Sequence, residues 1–432
     1  MARKVNTKFL IILTLVVGGG LVAVLLAQKL LNRRDPDALV AESETHLANQ
    51  RYDDALLSMQ RAVNARPEDP ALRVKLGDVY MHRIHLDRGE FPKALGAWRS
   101  ALEVNPSYLP ALERLLAIFR VESQRSGSPD VINRTYTELR DLASRIAAQQ
   151  PDNYAMAGLV QAAVIEPWTR GVTTPEPQIH AAVEALQKLM ELDPAGASHP
   201  YWIARAHLQF ATNQPANQRQ ALIDQALSVI DEALERQPEN AEMYWRAATI
   251  QQIVASLQEQ ESVRDQYLAR AKDLARRASE LAKPDNENYL QIMSHAASMA
   301  LQDQDLARAN QIMQQVVEAL PDNQEARLIQ ARVLATDPSR RADAIKILET
   351  PVKAAAVTPE TGARDLELIT LADLVEMRIE YLSQVNDPAQ RQQIIPKIEA
   401  ELARLVQRLG DQHWLVRLSG DFAAARGDLV EA

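Results

Sequence analysis

Cysteine is absent from the 432 residues of this chain, and aromatic residues and glycine are scarce. Without cysteine the chain forms no disulfide, has no thiolate nucleophile, binds no zinc through sulfur and accepts no lipid on a cysteine. Only 5% of the residues are aromatic and 14 are glycine, so the aromatic and β-branched runs typical of strands are few. The abundance of Ala, Leu, Gln, Glu and Arg instead favours helices.

Sequence motifs of catalysis are also missing. The chain has no glycine-rich phosphate loop, no Gly-x-Ser-x-Gly elbow and no His-Glu-x-x-His helix. Among eight histidines only His82 and His85 lie close together, beside Asp87 and Glu90, and this is a weak signal for a metal site. We therefore predict no catalytic, cofactor-binding or metal-binding residues, and a protein that is not an enzyme.

Charge is distributed unevenly along the chain. The 48 basic and 57 acidic residues give a net charge of −9, yet no acidic residue occurs among the first 34. The remainder of the chain is therefore more acidic than the whole. Nucleic-acid binding depends on basic contacts to phosphate, so we predict that nucleic acid is not a partner.

An uncharged segment near the N-terminus is long enough to cross a membrane. Residues 9–27 read FLIILTLVVGGGLVAVLLA and would span about 28 Å as a helix, close to the hydrocarbon thickness of a bilayer. We predict a basic tail at residues 1–8, a transmembrane anchor at 9–28 and a juxtamembrane linker at 29–36.

A cleaved signal peptide is the alternative to an anchor. Cleavage after Ala23 or Ala27 would place Leu21 or Leu25 where a small residue is required, so both sites are poor. The basic residues on the N-terminal side slightly favour a cytoplasmic N-terminus. We predict a single-pass protein of the bacterial inner membrane whose remaining residues are periplasmic.

A spacing pattern recurs four times in the following part of the chain. A small residue is followed by a bulky one four positions later, a small or β-branched one after three more, and a proline after five more. The first three share one helix face, and the proline ends the helix. The instances are Ala55–Met59–Ala62–Pro67, Ala94–Trp98–Ala101–Pro106, Ala226–Ile230–Ala233–Pro238 and Ala309–Met313–Val316–Pro321.

Together with Leu76, Gly77 and Tyr80 in the preceding helix, this pattern resembles the tetratricopeptide repeat (TPR). The resemblance implies an all-α fold, a right-handed α-solenoid of antiparallel helix pairs in which these residues pack the repeats. It also implies a protein or peptide partner in a concave groove lined by the first helix of each pair. We assign TPR-like repeats to residues 37–350 and divergent helical repeats to 351–432.

The repeats depart from the family in length. A TPR has 34 residues, whereas the prolines that end these repeats stand about 42 residues apart on average. We expect the additional residues to lie between the two helices of each repeat, and a HEAT-like solenoid is the alternative fold. The last residues resemble half a repeat, so we expect the chain to be truncated. The prolines are at positions 67, 106, 151, 194, 238, 284 and 321.

Two repeats begin with a tyrosine–tryptophan pair, Tyr201-Trp202 and Tyr244-Trp245. In the register of the TPR resemblance Tyr244 occupies a core position and Trp245 faces the groove. Because Trp and Tyr dominate interface hot spots, all four are candidate groove residues. Packing between neighbouring repeats is the alternative. The clamp that binds chaperone tails is missing from its expected positions, which hold Val40, Glu44, Val74, Asp78, Glu113 and Ala117.

These observations favour a membrane-anchored scaffold that mediates protein–protein interactions in the assembly of a cell-envelope complex. The alternative is the substrate-recognition arm of a larger enzyme, for example a glycosyltransferase, whose catalytic domain would lie beyond Ala432.

Overall fold

The computed structural model describes residues 35–84, 89–125, 127–212, 214–350, 366–410 and 412–427, and this part of the chain is helical. Consecutive helices pack in pairs, and we call each pair a repeat. The first helix of a pair is the A helix and the second is the B helix, so that in the chain-order numbering given below the A helices have odd numbers. No helix within these ranges is both long and apolar enough to span a membrane. The anchor predicted at residues 9–28 lies outside the described residues.

The described ranges contain nineteen α-helices and one 3₁₀ turn at Pro338–Arg340. The helices are α1 Pro36–Ala48, α2 Tyr52–Ala65, α3 Pro70–His82, α4 Glu90–Val104, α5 Leu109–Ser123, α6 Pro129–Gln149, α7 Tyr154–Thr169, α8 Glu176–Leu192, α9 Ser198–Thr212, α10 Ala216–Arg236, α11 Ala241–Ser256, α12 Glu261–Leu281, α13 Tyr289–Gln302, α14 Leu306–Ala319, α15 Gln324–Ala335, α16 Arg341–Glu349, α17 Leu366–Gln384, α18 Pro388–Leu409 and α19 His413–Arg426. The all-α repeat architecture predicted from the sequence is confirmed.

Local sequence sets where five of the ten described A helices begin. The Asp or Asn before the helix accepts a hydrogen bond from a backbone N–H of its first turn, which satisfies a donor that the helix leaves unpaired. The prolines at positions 67, 106, 238 and 321 lie exposed in the loops between a B helix and the next A helix. The side-chain caps of the A helices are Asp35, Asp69, Asn153, Asn240 and Asn323.

The recurring small and bulky positions are buried where helices meet. A small side chain lets two helix backbones approach closely, and the bulky residue one turn later fills the space beside it. Tyr80 is half-buried, and its hydroxyl accepts a hydrogen bond from Gln60 Nε2 at 3.3 Å. Exposure is at most 2% for Ala55, Met59, Ala62, Ala94, Trp98, Ala101, Ala226, Ile230, Ala233, Ala309, Met313 and Val316.

The additional length of the repeats is mostly helical, which differs from the expectation that it lies in loops. The B helices α6, α10 and α12 have 21 residues each, whereas α2 and α14 have 14. Loops between paired helices stay short. Helix α7 continues through Pro167 to Thr169, although a proline inside a helix has no N–H to donate to the carbonyl four residues earlier.

The described residues fall into two compact parts, one up to Ala117 and one from Ile118 onward, and the boundary lies inside α5. In the first part the core consists of Leu39, Met59, Leu72 and Val79 with the buried alanines of α2. In the second part the A helices from α7 to α17 each pack on their own B helix and on the A helix of the next repeat. The A helices from α7 to α19 therefore form a continuous row.

Candidate functional site

A cavity of about 370 Å³ opens among the A helices of the first part. Its apolar wall consists of Leu47 on α1, Met59 on α2, Val74 and Val79 on α3, and Pro110 on α5. Leu47 is half-buried, whereas Met59 and Val74 are buried. Side chains from three successive A helices thus surround a space large enough for a bulky side chain of another molecule.

Charged residues at this cavity are paired with one another. Lys75 Nζ donates to Glu44 Oε1 at 2.6 Å, which links α3 to α1. Arg114 Nε donates to Asp78 Oδ1 at 3.1 Å, which links α5 to α3. The two ion pairs leave the cavity without net charge. It therefore suits an apolar group better than a charged one, because burying an uncompensated charge costs several kcal/mol, about 3–5.

Similar polar contacts connect consecutive A helices in the second part. Asn288 Nδ2, just before α13, donates to Glu242 Oε2 on α11 at 3.1 Å. His295 Nε2 lies 2.9 Å from Gln252 Oε1, again between α13 and α11. Arg332 on α15 forms a two-bond ion pair with Asp373 on α17. These contacts define a polar A-helix side along the row.

Five charged residues on or beside α7, α9 and α11 form what we call the arginine cluster: Glu166, Arg170, Arg205, Glu242 and Arg246. Arg246 bonds Glu242 on its own helix at 2.6 Å, and its guanidinium carbon lies 5.1 Å from the Tyr201 ring centre and 5.5 Å from that of Trp245. Both distances are within the range of cation–π contacts. Arg170 donates to the carbonyl oxygens of Ser123 and Arg125.

Glu166 lies at the centre of this cluster. Burial raises the pKa of its carboxyl, and a hydrogen bond with Tyr136 and the charges of the three arginines act in the opposite direction. Burial likewise raises the pKa of Tyr136. The guanidinium of Arg205 differs from those of Arg170 and Arg246, because its Nε is buried and has no hydrogen-bond partner among the described residues.

The two tyrosine–tryptophan pairs lie half-buried at the start of α9 and α11. Tyr201 packs on the core shared by α9, α10 and α11, whereas Trp202 packs on the core of α7 and α8. Their rings meet edge to face at 5.0 Å. Tyr244 and Trp245 pack beside Ala278 and Ile292. All four thus contact neighbouring repeats while part of each stays accessible, and their role as groove anchors stays a prediction.

Among the described residues no group of three or more histidine, aspartate or glutamate side chains is placed to hold a metal ion. His82 borders the cavity of the first part. His85 and Asp87 lie outside the described residues, so the sequence pair His82 and His85 has no structural description. His199 is fully buried, and its Nε2 lies 3.3 Å from Asp193 Oδ2.

Comparison with known proteins supports the TPR interpretation. The family model described as tetratricopeptide repeat matches residues 40–83, which hold α2, α3 and most of α1. None of the curated proteins compared with the chain matches it.

Several solved structures resemble the chain at low sequence identity. A tetratricopeptide repeat protein from Parabacteroides merdae is 12% identical, covers 69% of this chain and 98% of its own, and has a TM-score of 0.40. Yeast Tom70 is 14% identical, covers 91% of this chain and 96% of its own, and has a TM-score of 0.32. A thermophilic TPR protein from Thermus thermophilus is 15% identical, covers 61% of this chain and 99% of its own, and has a TM-score of 0.29.

Proposed function

We propose that this protein is a membrane-anchored, non-catalytic scaffold that binds a protein partner at the A helices of its first part during assembly of a cell-envelope complex. The observation on which this rests is the cavity among α1, α3 and α5, which lies within and beside the residues that match the TPR model. The cavity has an apolar wall and no net charge, so we expect it to accept an apolar side chain of an extended or helical partner segment.

The location at the envelope is supported by the sequence alone. Residues 9–28 form the uncharged segment, and the basic residues before it favour a cytoplasmic N-terminus. If the segment is an anchor, the full chain will stay with membranes after alkaline extraction, whereas a chain lacking residues 1–28 will be soluble. Release of both forms would contradict the anchor. An alkaline phosphatase fusion after Asp37 will be active if the helices are periplasmic and inactive if they are cytoplasmic.

Partner binding is tested by filling the cavity. In Ala71→Leu the longer side chain enters the space that we assign to the partner, because Ala71 lines the cavity and is half-buried. We expect affinity capture from detergent-solubilised membranes to lose the proteins that the wild-type chain retains. The matched control is Ala65→Leu, which adds the same atoms at an exposed position of α2. Equal capture by Ala71→Leu, Ala65→Leu and the wild type would refute the assignment of the cavity.

A further inference from the structure

The last turn of α5 lies beside the loop that precedes α13. Arg120 Nη1 on α5 is 3.9 Å from Glu287 Oε1, and Glu287 stands two residues before α13. Both residues belong to the second part of the chain. Ion pairs such as that of Arg332 with Asp373 join A helices of adjacent repeats, whereas this pair joins helices that have α7, α9 and α11 between them in the sequence. The A helices from the end of α5 to the start of α13 therefore bend back on themselves.

A series of polar contacts joins the same two places through the helices between them. Arg170, directly after α7, donates to the carbonyl oxygen of Ser123 at the end of α5. At the other end, Asn288 donates to Glu242 on α11 at 3.1 Å, and Glu242 bonds Arg246 at 2.6 Å. These contacts begin within three residues of either partner of the ion pair.

Glu166 on α7 connects the two ends of this series. Burial raises the pKa of its carboxyl, and the charges of Arg170 and Arg246 act on it in the opposite direction. The end of α7 and the start of α11 are therefore close enough for their charges to act on one carboxyl. With Arg120 and Glu287 included, the contacts make a closed circuit through α5, α7, α11 and α13. The circuit encloses the side of the A helices on which it lies.

The ion pair of Arg120 with Glu287 is the weakest link of the circuit. Both side chains are exposed, and their separation is too long for a hydrogen bond. Exposed pairs of this kind contribute little to stability and are screened by salt. Ser123, by contrast, is buried, and Glu242 and Arg246 are half-buried. The circuit should therefore open first between α5 and α13.

We propose that Arg120 and Glu287 form a clasp, which holds the concave side of α7, α9 and α11 closed and opens when the two side chains separate. Arg246 also contacts the rings of Tyr201 and Trp245, so candidate groove residues of α9 and α11 border the enclosed side. A partner segment that enters between α5 and α13 has to separate the clasp first. The clasp belongs to the second part, and its test does not use the cavity on which the proposed function rests.

The experiment measures the distance between two nitroxide spin labels by pulsed electron paramagnetic resonance, on the purified full chain in non-ionic detergent. The labels are attached to Gln124→Cys, directly after α5, and to Asp285→Cys, two residues before Glu287. Both positions are exposed, and only they are labelled because the chain has no cysteine of its own. The ion pair itself stays intact. We expect a short-distance population that shrinks as salt rises to about 1 M, where the screening length is about 3 Å.

Charge reversal separates the clasp in the same labelled chain. Glu287→Arg places two positive charges together, and we expect the ratio of short to long distances to fall about threefold or more. Adding Arg120→Glu re-creates an ion pair in the opposite orientation and should restore the ratio. Glu239→Arg is the matched control and should leave the ratio unchanged. Glu239 is also exposed and stands two residues before α11, but it pairs with Arg277 at 3.4 Å.

Two results would overturn the proposal. One is the absence of a short-distance population at low salt, which would mean that α5 and α13 do not meet in solution. The other is a distance distribution that Glu287→Arg leaves unchanged or that Glu239→Arg changes as much. Thermal unfolding verifies that each labelled variant is folded. The salt titration of the chain without charge reversal provides a second measurement if Glu287→Arg does not fold.

Discussion

The indole of Trp98 occupies the space that a side chain on Gly77 would need. A Cβ built on Gly77 would lie 2.3 Å from Trp98 Nε1 and 2.5 Å from Trp98 Cδ1. The same indole nitrogen donates to the Val74 carbonyl at 3.2 Å, so the ring is fixed by a hydrogen bond as well as by burial. Glycine at position 77 is therefore required by the close contact of α3 with α4.

Gly77→Ala should destabilise the protein by about 1–3 kcal/mol, because the methyl group overpacks a fully buried contact. The matched control is Gly96→Ala on α4, where an added Cβ meets no atom within 4 Å. There the substitution should stabilise the helix by about 0.5–1 kcal/mol. Chemical denaturation of the three proteins measures both effects. Equal changes at positions 77 and 96 would contradict the steric explanation.

Arg378→Met should destabilise the protein by about 3–5 kcal/mol. Arg378 is buried on α17 and binds the carboxylates of Glu349 and Glu401. Its loss would leave Glu349 with Lys397 as its counter-charge and would remove the arginine that pairs with the largely buried Glu401. Arg404→Met is the control, since Arg404 is exposed and lies 3.8 Å from Glu367. We expect it to change stability by about 0–1 kcal/mol. A small effect at position 378 would mean that water replaces the guanidinium.

Acidification should destabilise the protein in part through His199. Burial lowers the pKa of His199, although the Asp193 carboxylate acts in the opposite direction. The folded state therefore binds the proton less readily than the unfolded state, whose histidine pKa is about 6.5. This stabilising contribution is complete above that pH and is lost as the pH falls below it.

His199→Gln tests this contribution by removing the titrating group. Its thermal midpoint should fall less between about pH 7.5 and about pH 5.5 than that of the wild type. The imidazole also packs tightly against Gly158, so the variant is expected to be less stable at both values. His413→Gln, at an exposed position on α19, should keep the wild-type dependence. If the thermal midpoints of the wild type and His199→Gln fall equally with pH, His199 does not contribute to the acid destabilisation.

Trp245→Ala should weaken partner binding if the tyrosine–tryptophan pairs are anchors. Removal of a hot-spot tryptophan costs about 2 kcal/mol or more, roughly thirtyfold in Kd. Trp414→Ala, at a tryptophan that is 40% exposed on α19, is the control. Because Trp245 also packs beside Ala278 and Ile292, thermal unfolding is measured in parallel. Lower stability with unchanged partner capture would assign the residue to repeat packing.

The pairing of helices was readable from the sequence because it depends on local signals. Proline cannot continue a helix, so the prolines at 67, 106, 238 and 321 lie in loops as expected. The lengths of the B helices were not predicted, because the additional residues were expected to lie between the two helices of each repeat. Pro215 stands directly before α10, and the following 21 residues contain neither glycine nor proline. That uninterrupted run was the signal for a long B helix.

The polar contacts between A helices could not be predicted from local sequence. Lys75 pairs with Glu44 and Arg332 with Asp373, partners that are 31 and 41 positions apart. Whether a charge is paired across repeats depends on the exact rotation of each helix, which hydrophobic spacing does not determine. For the same reason the buried Nε of Arg205, which has no hydrogen-bond partner among the described residues, was not predicted. In the sequence it is one arginine in an apolar helix, and only the structure separates it from Arg246.

Contacts within a repeat differ from contacts between neighbouring A helices, and this difference affects how the second part can deform. Contacts between A and B helices are formed by buried alanines and aliphatic side chains at close-packed density, which resist compression. Neighbouring A helices are held in addition by exposed pairs such as Arg417 and Glu376, each worth about 0–1 kcal/mol. Neighbouring A helices therefore contact each other less extensively than each A helix contacts its own B helix. Spacing between these helices can adjust to an incoming segment while the alanine-rich interior keeps its geometry.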